Sequence, residues 1–156
     1  MSPADKQADL LHSKALPALL VKMLGERREM LVLFHKLAEH KPFTQAEPLR
    51  RLLQAFCQVL MDYLALGHFE VYQGLEEHAG DPESLRFVER LATELYPRIA
   101  ATTEVAVDFN DRYDAELYDE DLEALDRDLS RLGQALAERI ELEDRLIAAI
   151  ADPAQG

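Results

Sequence analysis

The sequence predicts an all-α protein built as an antiparallel bundle of four long helices. Apolar residues recur at spacings of three and four along most of the chain, and no segment alternates as a strand does. No Asn-Gly or Asp-Gly pair separates apolar runs, so hairpins are not indicated. Long helices with short connections favour antiparallel packing. We expect one domain over residues 1–156, with a core at about residues 15–151 and frayed termini.

The first helix is predicted from about Pro17 to Ala38, and residues 10–16 can add a preceding turn. Pro17 suits a first turn because a residue there needs no N–H donor. The stripe expected to face the core is Leu20, Leu24, Leu31, Phe34 and Ala38. The segment from His40 to Thr44 then breaks the helix.

The second helix has two competing start signals. Thr44 and Glu47 have the spacing of a capping box, whereas Pro48 prefers a first-turn position. We expect the start between Thr44 and Pro48 and the end near Glu77. Cys57, the single cysteine, has apolar neighbours and is expected to be a buried small hydrophobe.

The second helix is apolar on more than one side, which makes it the most informative segment of the chain. One face consists of Phe56, Leu60, Leu64, Gly67 and Val71. A second face consists of Val59, Asp62, Leu66, Phe69 and Gln73. A helix that only borders a core needs a single apolar stripe. The second face must therefore meet either another helix of this chain or another protein.

The last two helices have clear boundary signals. Asp81 is expected to cap the third helix, with Pro82 at its first position. Pro97 falls inside the apolar pattern and is expected to kink or split that helix. The fourth helix is predicted from about Asp119 to Ile150, with three acids at its positive end. Its stripe is Leu122, Leu125, Leu129, Leu132, Leu136, Ile140, Leu146 and Ile150.

Composition argues against several functions. The formal net charge is −13, whereas nucleic-acid binding needs Lys and Arg to neutralise phosphates. No segment approaches the roughly 20 apolar residues of a membrane span, and the N-terminal segment lacks a signal-peptide pattern. A lone cysteine fits a reducing compartment. We therefore expect a cytoplasmic protein that binds neither membrane nor nucleic acid directly.

Motifs for catalysis or metal binding are missing from the sequence. Neither Glu-x-x-His nor His-Glu-x-x-His occurs, and there is no nucleophile elbow or Gly-rich phosphate loop. His35 and Glu39 form the one His–carboxylate pair of note, and we expect it to be solvated. His68 is interpreted as a buried histidine with an internal partner rather than as a ligand or a switch. The sequence thus indicates no enzyme, no metal and no cofactor.

Two acidic features point towards a protein partner. Residues 104–128 contain eleven Asp and Glu against two Arg; a solvated helix junction is the favoured interpretation, and attraction of a basic protein is the alternative. Asp62 interrupts an apolar run on the second helix. Its carboxylate either bonds internally or receives a cation from a partner, and an acid beside exposed Leu and Phe would be typical of an interface hot spot.

The run FCQVLMDYLALGHFEVY, residues 56–72, resembles the signature F-C-x-x-L-x-D-Y-x-x-x-G-H-F-x-x-Y of the regulator of sigma D family, also called Rsd/AlgQ. Three further segments agree with that family, in order and without large gaps: GERREMLVLFHKLA, LYPRIAATTEVAVDFNDRYD and LGQALAERIELEDRLI. The resemblance covers most of the chain. It implies an all-helical anti-sigma factor that binds the primary sigma factor of bacterial RNA polymerase and takes part in stationary-phase sigma exchange.

The resemblance also implies where the partner binds. The expected partner segment is the C-terminal region of the sigma factor, a basic helix-turn-helix that reads the −35 promoter element. The carried-over contacts are Asp62 and Phe69, and Leu66 and Gln73 extend the same stripe. Some members have a Trp in the first helix and this chain has none; the candidate first-helix contacts are Glu26, Met30 and Phe34. The motif positions assigned to an internal network are Tyr63, Gly67, His68 and Tyr72.

Two other functions stay open at this stage. One is a bundle that binds a metal or a small ligand through His35, His68 and carboxylates. The other is a helical module for another basic protein, with residues 104–128 as its interface. An exposed apolar stripe could also support weak self-association, so we expect a monomer or a weakly associating chain.

Overall fold

The computed structural model describes residues 3–67 and 80–151, with side chains described for residues 18–67 and 80–149. Within these ranges the chain forms four helices and no strand. They are α1 (Pro3–Ala38), α2 (Glu47–Leu66), α3 (Pro82–Tyr113) and α4 (Asp119–Ala151). The prediction of an all-α fold is confirmed.

Contacts with α4 show that α1 runs in the opposite direction to it. Arg27 of α1 donates to Asp144 of α4 at 3.0 Å (Nη1 to Oδ1). Fourteen positions later Lys41, just past the end of α1, pairs with Asp126, near the start of α4, at 2.5 Å. The partner on α4 therefore moves backwards as α1 moves forwards.

The same comparison orients the other two helices. On α3, Glu94 pairs with Arg145 and Arg112 pairs with Asp128, so α3 is antiparallel to α4. The two ends of α2 face the corresponding ends of α4, since Gln45 contacts Asp119 and Tyr63 contacts Glu143. Thus α2 is parallel to α4 and antiparallel to its chain neighbours α1 and α3. The four helices form an up-down-up-down bundle.

A chain of aromatic rings crosses the core. Phe34 of α1 lies 6.1 Å from Phe56 of α2, and Phe56 lies 5.8 Å from Phe109 of α3, ring centre to ring centre. Phe109 in turn lies 4.6 Å from Tyr113. Burying each large apolar side chain stabilises the fold by about 1.5–3 kcal/mol. The fully buried Phe56 therefore joins three helices in one apolar cluster.

The first helix differs from its predicted bounds and face. It begins at Pro3 rather than near Pro17, and Pro3 itself suits a first helical position. Among the side chains of residues 18–38 of α1, the fully buried ones are Met23, Met30 and Leu37, seven positions apart. Leu24 is 40% exposed instead of facing the core. The stripe was misjudged because α1 has apolar residues on nearly every side, so that spacing alone could not select one face.

The second helix begins at Glu47, between Thr44 and Pro48 as predicted, but the capping box is wrong. Its N-cap is Ala46, which offers no side-chain acceptor. Thr44 instead accepts the Ala46 N–H through its hydroxyl at 3.3 Å, one turn before the helix. Pro48 in the first turn, with its fixed φ, is the start signal that holds. The predicted end near Glu77 lies outside the described residues.

The third and fourth helices largely follow prediction. Asp81 caps α3 by accepting the Ser84 N–H at 2.8 Å, and α4 begins at Asp119. Pro97 does not split α3, which is continuous through it. Pro97 and Thr93 are both exposed. Pro97 has no N–H, so the Thr93 carbonyl, four residues earlier, lacks its usual helical donor. Because both residues are exposed, this carbonyl can bind water instead. A kink at Pro97 stays a prediction.

Candidate functional site

Asp62 lies on the outward face of α2. Its side chain is exposed, and within the described part of the chain it forms no hydrogen bond and no ion pair. The exposed residues that share this face are Arg51, Ala55, Gln58 and Ala65. Of the two roles considered for this carboxylate, an internal bond is not formed to any residue that the structure describes. With respect to those residues, Asp62 is available to a cation from outside the bundle.

The rest of the second apolar face is mostly turned inwards, and this corrects the prediction for Leu66. Leu66 is only 6% exposed and belongs to the core cluster, and Val59 is half-buried beside it. Four residues advance a helix by about 40° more than one full turn. That rotation carries Leu66 away from the outward direction of Asp62 and towards the core. In this structure Leu66 does not stand on a partner-facing surface.

Several predicted site residues lie outside the described residues. They are His68, Phe69, Tyr72 and Gln73. The roles assigned to them, as partner contacts or as members of an internal network, stay predictions. Gly67 is buried at the end of α2, and its N–H is shared between the carbonyls of Leu64 and Tyr63.

The candidate partner contacts on α1 differ in how deeply their side chains are buried. Met30 is fully buried, so it cannot contact a partner without rearrangement of the core. Glu26 and Phe34 are half-buried. Sequence reasoning missed two exposed apolar side chains of α1, Val21 at 71% and Val32 at 47% exposure. The sequence did contain a signal for these two valines. Met23, Met30 and Leu37 recur every seven residues, so they mark the inward face of α1, and the valines lie on the opposite face.

A buried polar cluster lies directly behind Asp62, and we call it the Glu143 network. Tyr63 of α2 is fully buried and donates its hydroxyl to the carboxylate of Glu143 on α4. Arg27 of α1 approaches the same carboxylate at 3.8 Å. Arg139, also fully buried, lies one turn before Glu143 on α4, with Nε 3.7 Å from Oε2. Three helices thus meet at one buried carboxylate.

The third helix completes the Glu143 network. Arg139 donates to the hydroxyl of Thr103 at 2.6 Å and approaches that of Thr102 at 3.4 Å. Its guanidinium also lies over the Tyr63 ring, 5.6 Å from the ring centre. Burial, followed by the neighbouring Glu143 charge, raises the pKa of Tyr63. Tyr63 therefore stays protonated at neutral pH and acts as a permanent donor.

The acidic region between α3 and α4 is partly used inside the protein. Arg112 binds Asp121 and Asp128, each at 3.0 Å. Tyr113 donates to Asp128 at 2.6 Å, and Asp121 accepts the backbone N–H of Tyr118 at 2.9 Å. The Tyr118 N–H and then the Arg112 guanidinium lower the pKa of Asp121. Asp121 and Asp128 therefore stabilise the junction between α3 and α4, while most other acids of residues 104–128 are exposed.

Two surface depressions accompany these features. One of about 170 Å³ is lined by Phe109, Arg112 and Arg131 among others. A groove of about 540 Å³ lies between α1 and α4, where the Phe34 ring rests on Gly133. In the described ranges no three His, Cys, Asp or Glu side chains are grouped as metal ligands would be. No helix among the described residues has the length and apolar content to cross a bilayer.

The fold and this geometry define a class of protein: a four-helix bundle whose candidate site is an exposed helix face. Comparison with known proteins then specifies the family. The model of the family described as "Regulator of RNA polymerase sigma(70) subunit, Rsd/AlgQ" matches residues 12–151. The chain belongs to this family, whose role is regulatory.

Curated relatives agree with the family match. A Regulator of sigma D from Enterobacter sp. strain 638 is 36% identical over 146 residues, covering 86% of this chain and 81% of the relative. One from Pectobacterium carotovorum is 36% identical over 140 residues, covering 86% and 89%. One from Escherichia coli O139:H28 is 32% identical over 149 residues, covering 88% and 86%.

Proposed function

We propose that this chain is a cytoplasmic anti-sigma factor that binds the C-terminal helix-turn-helix region of the primary sigma factor. Binding would cover the surface that reads the −35 promoter element and would block contacts of that region with promoter and core polymerase. Family membership supports the regulatory role. The observation that carries the proposal is Asp62, an exposed carboxylate that bonds to none of the residues described in the structure and lies on the helix that bears the family signature.

Charge complementarity supports this choice of partner. The chain has a formal net charge of −13, and a DNA-reading surface must present cations to phosphates. An acidic protein that covers such a surface attracts it at long range, which raises the association rate. The same charge repels promoter DNA, so the chain would act by sequestration and not by binding DNA itself.

The proposed contact combines one charge with one apolar anchor. Asp62 accepts a charge-assisted hydrogen bond from a Lys or Arg of the partner. Phe69, which lies outside the described residues, supplies the apolar anchor expected beside it. Removing one member of a desolvated, hydrogen-bonded charge pair at an interface costs about 2–5 kcal/mol of binding free energy. Catalysis has no part in this mechanism, which is stoichiometric.

The test is the affinity of the purified chain for the isolated C-terminal region of the primary sigma factor, measured by calorimetry. Asp62→Ala and Phe69→Ala are expected to weaken binding by about 2 kcal/mol or more each, with unchanged helical circular dichroism. Glu89→Ala is the matched control, because Glu89 is an exposed acid on α3. Its affinity should equal that of the unmodified chain.

Two outcomes would overturn parts of the proposal. Failure of the unmodified chain to bind the sigma region removes the anti-sigma function. Normal binding by both Asp62→Ala and Phe69→Ala removes the α2 face. In that case, loss of binding in a variant with Asp108→Asn and Asp111→Asn would transfer the interface to the acidic region, where both side chains are exposed.

A further inference from the structure

The Glu143 network is one residue away from the proposed partner contact. Asp62 and Tyr63 are consecutive on α2, with Asp62 exposed and Tyr63 fully buried. We infer that Tyr63 is a positioning residue: its bond to Glu143 fixes the rotation of the end of α2 and so aims Asp62 at the partner. This inference rests on the proposed function, and it adds a residue that acts through Asp62 without touching the partner.

The connections of the Tyr63 hydroxyl support this inference. Tyr63 lies three residues before Leu66, and Gly67 keeps helical backbone angles, with its N–H shared between the Tyr63 and Leu64 carbonyls. The side-chain bond of Tyr63 attaches this part of α2 to α4 and, through the same carboxylate, to Arg27 of α1.

The energetics of burial indicate a role other than stability. Glu143 and Arg139 are both removed from water, at 1% and 0% exposure, with Arg139 Nε 3.7 Å from Glu143 Oε2. Buried ion pairs of this kind often stabilise a fold no more than apolar side chains of the same volume would. The best-supported role of buried polar groups is to select one register between helices. Arg139 and Glu143 lie on the same helix, so the bond that relates α2 to α4 is the one from Tyr63 to Glu143.

A Tyr113 bond elsewhere in the bundle provides a matched control. Tyr113 is 1% exposed, and it also donates its hydroxyl to a carboxylate of α4, that of Asp128, with the Asp121 carbonyl 3.1 Å away. Tyr113 lies at the end of α3, near the beginning of α4, whereas Glu143 lies near the end of α4. Tyr63→Phe and Tyr113→Phe therefore remove the same kind of bond at opposite ends of the bundle.

The experiment measures the affinity for the sigma C-terminal region of Tyr63→Phe, Tyr113→Phe, Asp62→Ala and the double variant Tyr63→Phe/Asp62→Ala. Tyr63→Phe should bind about ten-fold more weakly, and Tyr113→Phe should bind normally. Because Tyr63 acts through Asp62, adding Tyr63→Phe to Asp62→Ala should cause little further loss. A merely structural role would give the same additional loss in both backgrounds.

Amide hydrogen exchange of the free chain gives an independent second result. Tyr63→Phe should accelerate exchange at residues 63–67 selectively, and Tyr113→Phe should leave these amides unchanged. Equal effects of the two Tyr variants on binding, additive losses with Asp62→Ala, or unchanged exchange at residues 63–67 would each overturn the inference. If the unmodified chain binds no sigma region, the proposed function fails, and exchange alone then decides whether Tyr63 holds the end of α2.

Discussion

Replacing Glu143 by Leu should destabilise the bundle more than the loss of one surface charge would. Glu143 is the acceptor for the Tyr63 hydroxyl, and its carboxylate lies 3.7 Å from Arg139 and 3.8 Å from Arg27. Arg27 keeps Asp144 at 3.0 Å after the change. Arg139, at 0% exposure, would lose that carboxylate while its charge stays in the core. The variant therefore removes one compensating group from a buried cation.

The size of the loss follows from that arrangement. Removing one partner of a buried ion pair costs about 3–5 kcal/mol of unfolding free energy. For a chain of this length such a loss lowers Tm by about 6–20 °C. The double variant Arg139→Met/Glu143→Leu removes the buried cation as well. The hydroxyls of Thr102 and Thr103 still have the Ile99 carbonyl as acceptor, at 2.6 and 3.2 Å, so the double variant should regain about 2 kcal/mol or more.

Urea unfolding followed by circular dichroism at the helical band measures these differences. The single variant should have a lower midpoint with an unchanged slope, and the double variant should be more stable than the single. A Glu143→Leu chain within about 1 kcal/mol of the unmodified one would contradict the reasoning, because surface substitutions alone give changes of that size. A double variant that loses the sum of both single effects would contradict it too.

Three further predictions concern single side chains. Gly25→Ala, where a Cβ meets nothing within 4 Å, should stabilise the chain by about 0.5–1 kcal/mol in urea unfolding; Gly133→Ala should gain less or lose stability, because its Cβ would lie 2.9 Å from the Phe34 ring, and an equal gain at both sites would contradict this. Asp81→Ala should lower Tm by about 2–4 °C at neutral pH through loss of the α3 cap. Since backbone N–H donors lower the pKa of Asp81 in the folded chain, its stabilisation is complete above the unfolded pKa of about 3.9 and is lost as pH falls through the folded value, so the two chains should converge in Tm near pH 2. Cys57, whose pKa burial raises to about 12, should react with a disulfide reagent at pH 8 only as the chain unfolds, and rapid reaction of the native protein would show that the thiol is not buried.

The residues of α4 show which parts of the site could be predicted from sequence. Its helical bounds and most of its leucines follow the apolar period. Between Leu136 and Leu146, however, the buried positions are Arg139, Leu142 and Glu143, so that two of the three are charged. Charged side chains are rarely fully buried, so the pattern favoured Ile140, which is only half-buried. Opposite charges four residues apart, occupying a gap in an apolar stripe, were the available signal.

For α2, spacing predicted the stripe that faces the core but could not predict which residues of the second stripe are exposed. Phe56, Leu60 and Leu64 are buried as predicted, because they share the stripe that faces the core. The second stripe could be detected from spacing, but spacing does not tell which of its members other helices cover. Leu66 is covered and Asp62 is not. That difference depends on tertiary packing around the end of α2, which one sequence does not contain.

Photo-crosslinking from the outward face of α2 tests the central claim most directly. A benzophenone amino acid is placed at Gln58 or Ala65, exposed residues within one turn of Asp62, and in a separate chain at Asp111 on α3. Each chain is irradiated with the intact primary sigma factor. The account predicts a crosslink to the C-terminal region of the sigma factor from both α2 positions and none from Asp111. A crosslink from Asp111 alone, or none from either α2 position, would contradict it.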